Sequence, residues 1–387
     1  MSERAFVPRP KVSDEGHRVT TFELLFDLVF VFAFTQVTGF MTDAHSAVGV
    51  LQAMIILNML WLSWSSYAWL ANRIHVDEGA VRLGMCGAMI AIFVVALVIP
   101  EAFQDLPGGL SGPLVLVGAY FVVRVIHSGL FVVAAGDDVA LRKQVLRTGA
   151  GVVVSVSLLI AGVNVGGVAQ TWFWLAAVVA DGVVIYATSS GGSFRVHSAA
   201  HWAERHGLVM ILALGESIVA IGVGAANEAV SAPILLGVLL AITLTISLWW
   251  TYFGRVARAA ERLLAQSQGI RRAELGGDAY TMLHFLMIAG IVISALGVEE
   301  AIARAAEAEP LGIFGAAALF GGTSLYVAGH AFFWRRVSGR WNTWQFGAAT
   351  LLLALGATAL VLPALVCLAL VAVVVIANAA LQSKTVN

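Results

Sequence analysis

The sequence predicts an all-α polytopic membrane protein of about twelve transmembrane helices, arranged as two parallel six-helix repeats. Three observations predict it. Of 387 residues, 60% are hydrophobic and only 12% charged, against roughly 25% charged in soluble domains. The apolar residues fall into runs of about 20, the length that crosses a bilayer core. The basic residues crowd into every second connection between those runs.

Residues 1–21 form a polar, basic tail that carries Pro8 and Pro10 and lacks the apolar core of a cleavable signal. Spans are expected at 22–41, 50–71, 80–99, 113–135, 145–163, 171–190, 204–225, 232–253, 279–298, 312–334, 343–361 and 364–382. Gly, Pro and charged residues punctuate them: Pro100, Pro107-Gly108-Gly109, Gly136-Asp137-Asp138, Gly191-Gly192, Gly276-Gly277, Pro310 and Pro363. Pro363 either separates the last two spans or kinks one long helix. The organisation that follows is a first bundle over 22–190, a linker over 191–203, a second bundle over 204–382 and a tail over 383–387. Within the second bundle, 254–278 reads as a basic, helix-prone cytoplasmic loop (Arg255, Arg258, Arg262, Arg271, Arg272) with the character of an amphipathic surface segment.

Charge sets the orientation. With the N-terminus inside, 20 of the 22 basic residues fall on one face, Arg304 falls on the other, and Arg124 alone lies within a span. The positive-inside rule therefore places both termini in the cytoplasm. The net charge of −1 argues against a nucleic-acid partner. Cys86 and Cys367 form neither a zinc spacing nor a disulfide framework. The duplication is suggested by matched segments. Gly118 to His127 resembles Gly321 to His330, Met89 to Ala91 resembles Met287 to Ala289, and the cluster Trp61, Trp64, Tyr67 resembles Trp249, Trp250, Tyr252. Those aromatics read as packing, or as a stacking platform for a flat or cationic ligand.

An ionisable group inside a membrane costs roughly 2.5–3.5 kcal/mol on insertion scales and needs a reason. Glu23 and Asp27 open span one, four residues apart and so on one face. Thr20-x-x-Glu23 also has the form of a capping box. Span seven begins His201-Trp202-Ala203-Glu204-Arg205-His206 and reaches Glu216, roughly 18 Å further along the helix than Glu204. Arg124 cannot shed its charge and must find an acid, with Asp27, Asp181 and Glu216 available. His127, His284 and His330 read equally as interhelical hydrogen bonders or as relay members. His197, His201 and Glu204 are weak candidates for a metal site, because Ser198 can cap the helix and leave His197 outside it.

The run Thr21-Phe22-Glu23-Leu24-Leu25-Phe26-Asp27-Leu28-Val29-Phe30-Val31-Phe32-Ala33, together with His201-x-x-Glu204-Arg205-His206-Gly207-Leu208 through Leu214-Gly215-Glu216-Ser217, resembles the two hallmarks of the bacterial low temperature requirement A (LtrA) family. Leu25 departs from it, standing where an aromatic is expected. The resemblance covers nearly the whole chain. It implies a polytopic protein of the bacterial inner membrane and draws attention to Glu23, Asp27, His201, Glu204, Arg205 and Glu216, but supplies no reaction.

The function expected is a proton-coupled secondary transporter or permease for a small molecule or ion, with Asp27 and Glu216 as protonatable groups. The alternatives are an intramembrane enzyme or a metal- or haem-binding redox protein, and a sensor or scaffold. No ATP-binding loop is present. The bilayer is the one certain partner; a homo-oligomer is compatible with the sequence, and the residues specify no cofactor.

Overall fold

A computed structural model describes residues 10–189, 195–226, 228–307 and 309–385. The break expected at Gly191-Gly192 lies outside them. Among the described residues, twelve helices are long and apolar enough to cross a membrane: Thr21–Ala44, Ala47–Arg73, Gly79–Leu97, Gly112–Ala135, Val139–Val165, Gly167–Ala187, Ala199–Ala226, Ala232–Gln266, Gly269–Ala303, Gly312–Ser338, Thr343–Leu360 and Ala364–Gln382. They are called spans one to twelve below. Among the described residues the only extended pairings are two isolated bridges, Val12 with Ile74 and Pro310 with Pro363.

Span three shows how sequence spacing makes a membrane helix. Val81, Met85, Ala88, Ile92 and Val95 recur every three or four residues and are buried. Leu83, Ile90 and Leu97 recur every seven and are exposed. The first set packs against protein and the second presents an apolar stripe to lipid. Ends follow ordinary capping chemistry. Asp138 accepts the Leu141 N–H at 3.0 Å to start span five, and Gly136, at φ 55°, makes the turn before it that a side chain would resist.

Pro363 separates two spans. Span eleven closes in a 3₁₀ turn at Ala357–Leu360, the next helix starts at Ala364, and the Ala364 N–H is held by the Glu309 carbonyl at 2.9 Å. The basic, helix-prone segment over 254–278 is mostly helical. Val256–Gln266 is an amphipathic helix that buries Val256, Ala259, Ala260 and Leu264, a three-to-four spacing. A short helix, Gly269–Glu274, runs into a π-helical stretch, Leu275–Leu283, that continues as span nine.

The chain divides into two compact units, one of residues 1–37 and 54–204 and another of 38–53 and 205–387. In the first, spans three to six pack in sequence. In the second, span ten lies against spans nine and eleven, and span twelve lies against spans eight and eleven. Spans nine and ten approach at glycines: a Cβ on Gly290 would stand 2.5 Å from the Tyr326 amide nitrogen and 2.8 Å from the Gly322 carbonyl oxygen.

Candidate functional site

Three helix ends and the N-terminal tail meet in the first unit. The tail runs antiparallel to the exit of span two: Ser13 donates its N–H to the Arg73 carbonyl and His75 donates to the Lys11 carbonyl, each at 2.9 Å. Thr20 then closes the expected capping box. Glu23 Oε1 accepts from the Thr20 N–H and hydroxyl, each at 3.1 Å, and the Glu23 N–H reaches the Thr20 hydroxyl at 3.3 Å.

The capping role uses one carboxylate oxygen. The other, Oε2, faces His201 Nε2 at 2.8 Å, and both side chains are fully buried. His201 is placed by Ser198, whose hydroxyl accepts the His201 N–H at 3.1 Å and lies 3.0 Å from the carbonyls of Glu15 and His17. Ser198 thus caps span seven, and His197 stands outside the helix. Asn72, at the exit of span two, completes the arrangement. Its oxygen takes the His197 N–H at 2.7 Å, and its nitrogen donates to the Ser198 carbonyl at 2.7 Å. Those two backbone partners fix the amide orientation, so the second N–H of Asn72 points at His201 Nδ1, 3.2 Å away. Nδ1 therefore accepts, and the proton of the neutral imidazole sits on Nε2 against Glu23.

His17 stacks on His201 with ring centroids 4.6 Å apart and meets His75 edge-on at 4.5 Å. It is only 7% exposed. Burial first, then the neighbouring His201, hold its pKa below the usual range. Its Nε2 meets no hydrogen-bonding atom among the described residues. Glu204 is turned outward to the tail, accepting the Val19 N–H at 3.2 Å with Arg18 at 3.8 Å. His197 Nε2 lies 3.4 Å from Arg73. The structure thus gathers His201 with His17 and Glu23, and points His197 and Glu204 elsewhere. At the surface beside them, His75, Asp77 and Glu78 form a second group of close ligand atoms.

The family of bacterial low temperature requirement A proteins matches residues 18–380, which spans both motifs that supply this contact. The chain belongs to the LtrA family. Among curated proteins, an uncharacterized protein of Rhizobium meliloti (strain 1021) is 28% identical over 331 residues, covering 82% of this chain and 77% of that one. No solved structure matches. The two LtrA hallmark segments, 178 residues apart, touch through Glu23 and His201.

Other polar residues of this LtrA chain are placed as follows. Asp27, one turn beyond Glu23, accepts the Trp64 indole N–H at 2.9 Å, so that tryptophan of the span-two cluster is a donor as well as packing. Arg124 takes Asp181 as its acid, Nη2 to Oδ1 at 3.0 Å, both nearly fully buried. Tyr120 donates to the other Asp181 oxygen at 3.4 Å. His127 Nε2 lies 3.0 Å from the Ser66 carbonyl, which makes that nitrogen the donor.

In the second unit, the π-helical stretch leaves the Ala279 carbonyl facing His284 Nδ1 at 3.1 Å, five residues on, while Tyr252 donates its hydroxyl to Nε2 at 2.9 Å. Both His284 nitrogens are thereby engaged in hydrogen bonds. Gln345 sits 2.6 Å from His330 Nδ1. Arg205 and Glu216 are buried in this unit.

His17 and Asn72 carry weight that sequence reasoning did not assign. His17 gave no signal, because its burial depends on the tail folding back. Asn72 could have been found as the polar residue closing an otherwise apolar run. Replacing Asn72 with Leu is expected to cost about 1–3 kcal/mol, since it strands the buried His197 N–H and Ser198 carbonyl. The melting temperature of the purified protein checks this, and an unchanged value would refute it.

Proposed function

We propose that the protein is a proton-coupled secondary transporter of a small solute in the bacterial inner membrane, with both termini in the cytoplasm. The observation that supports this reading is the buried Glu23–His201 contact, which joins the two motifs at the ends of spans one and seven. A neutral imidazole whose N–H is donated to a carboxylate is a two-site exchange unit, and histidine is the side chain that changes charge near neutral pH. Asp27 continues the same helix face one turn further into the membrane. Ionisable groups there are the usual mark of an ion or proton pathway.

In this reading Glu216 is a second protonatable carboxylate, Arg124 and Asp181 hold spans four and six together, and the two six-span halves, as parallel repeats, alternate access. The orientation rests on 20 of 22 basic residues falling on one face.

Proteoliposomes loaded with a pH-sensitive dye test it. Adding candidate solutes under an imposed pH gradient is expected to give solute-dependent proton flux, reduced at least tenfold by Glu23→Gln and by Asp27→Asn. Solute flux indifferent to the gradient and to both substitutions would overturn the reading.

A further inference from the structure

We infer that His17, Glu23 and His201 form an exchangeable binding site for one divalent transition-metal ion of the zinc, cobalt or nickel type. One ligand atom from each residue lies within 4.8 Å of the others. Metal–ligand bonds near 2.0–2.2 Å therefore need only a modest inward rotation of the rings. Two imidazoles and one carboxylate are the donor set of open zinc sites, which keep a fourth position for water or a guest. The same set disfavours magnesium and calcium, which take oxygen ligands.

The observation that points to a ligand is His17. It is 7% exposed, and its Nε2 is buried with no hydrogen-bonding partner among the described residues. The structure holds other buried polar atoms of this kind, but this one belongs to a residue whose ligand atom converges with two others, and an ion is one explanation for such an atom. There is also an approach from solvent. His75 touches the His17 ring at 4.5 Å and belongs with Asp77 and Glu78 to a second, more exposed group of ligand atoms, suited to capture an ion and pass it inward.

Asn72 makes the site reversible. Metal on His201 Nε2 displaces the proton now shared with Glu23. The neutral imidazole then carries its proton on Nδ1, where it confronts the Asn72 N–H. A tight structural site would place an acceptor there to support the ligand; this one opposes occupancy, so the ion binds and leaves. Glu23 and His201 also serve the transport reading, but the inference does not depend on it, because binding at equilibrium involves no movement across a membrane.

The test uses the full chain in detergent, stripped with EDTA and titrated with Zn²⁺ by calorimetry and with Co²⁺ by visible absorption. One ion per chain is expected, with the d–d intensity of a four- or five-coordinate site. His17→Ala, outside the spans, should weaken binding at least tenfold, and His75→Ala should leave the equilibrium affinity within about twofold. His17→Cys should add a thiolate-to-Co²⁺ charge-transfer band in the near ultraviolet. No binding, binding untouched by His17→Ala but lost in His75→Ala, or a bound His17→Cys variant without that band would each overturn the assignment.

Discussion

Asp181→Asn is expected to destabilise the protein by about 3–5 kcal/mol, the penalty for leaving a buried charge without its partner. Arg124 and Asp181 are 3% and 2% exposed and 3.0 Å apart. The guanidinium stays charged at any accessible pH, so removing the carboxylate leaves it no cheap neutral form. Tyr120, which caps the other Asp181 oxygen and lies under the guanidinium at 5.8 Å, cannot replace the lost charge. The double variant Arg124→Met with Asp181→Leu removes both charges and is expected to recover most of the loss, because a well-packed apolar pair often matches a buried ion pair. Thermal unfolding of the two variants in detergent checks this. A double variant as unstable as Asp181→Asn would show that the pair does more than neutralise itself.

The second large effect lies in the other unit. Gly290→Ala and Gly297→Ala should each destabilise by at least about 1–3 kcal/mol, the range for inserting atoms into a filled interior. The atoms opposing the new methyl groups are backbone: the Tyr326 nitrogen and Gly322 carbonyl for Gly290, and the Leu319 nitrogen and Cα for Gly297. No rotamer change relieves them, so spans nine and ten must separate. Small residues that let helix backbones touch are a principal source of cohesion between helices in lipid. Gly118 and Gly321 have open space where a Cβ would stand, so alanine there should be neutral or slightly stabilising. Comparing the four melting temperatures tests whether contact, rather than glycine content, is responsible.

Hydropathy and charge made the number of spans legible, because a bilayer leaves few ways to satisfy a backbone. The capping box at Thr20 and the cap at Ser198 were legible because both are local, set by residues three apart. The partner of Arg124 was narrowed to three acids by its need for a counter-charge, and only folding selects Asp181 among them. The Glu23–His201 contact was not legible. Each residue stood out in its own motif, but nothing in helical spacing relates span one to span seven. The arrival of His17 beside His201 was not legible for the same reason. His197, His201 and Glu204 lie close along the chain, with Ser198 legible as the cap that leaves His197 outside the helix, but the folding back of the tail that brings His17 to His201 has no local signal.

The contact between Glu23 and His201 also has a schedule. Glu23 emerges in the first helix to be made, and its imidazole partner follows 178 residues later. At roughly 5–20 residues per second the carboxylate spends on the order of 10–40 s of synthesis before span seven exists. During that interval the capping box at Thr20 is its own local source of hydrogen bonds, formed within four consecutive residues and needing nothing downstream. Thr20→Ala should therefore act on the yield of inserted protein more than on the stability of molecules already assembled, a difference visible in pulse-labelled membranes.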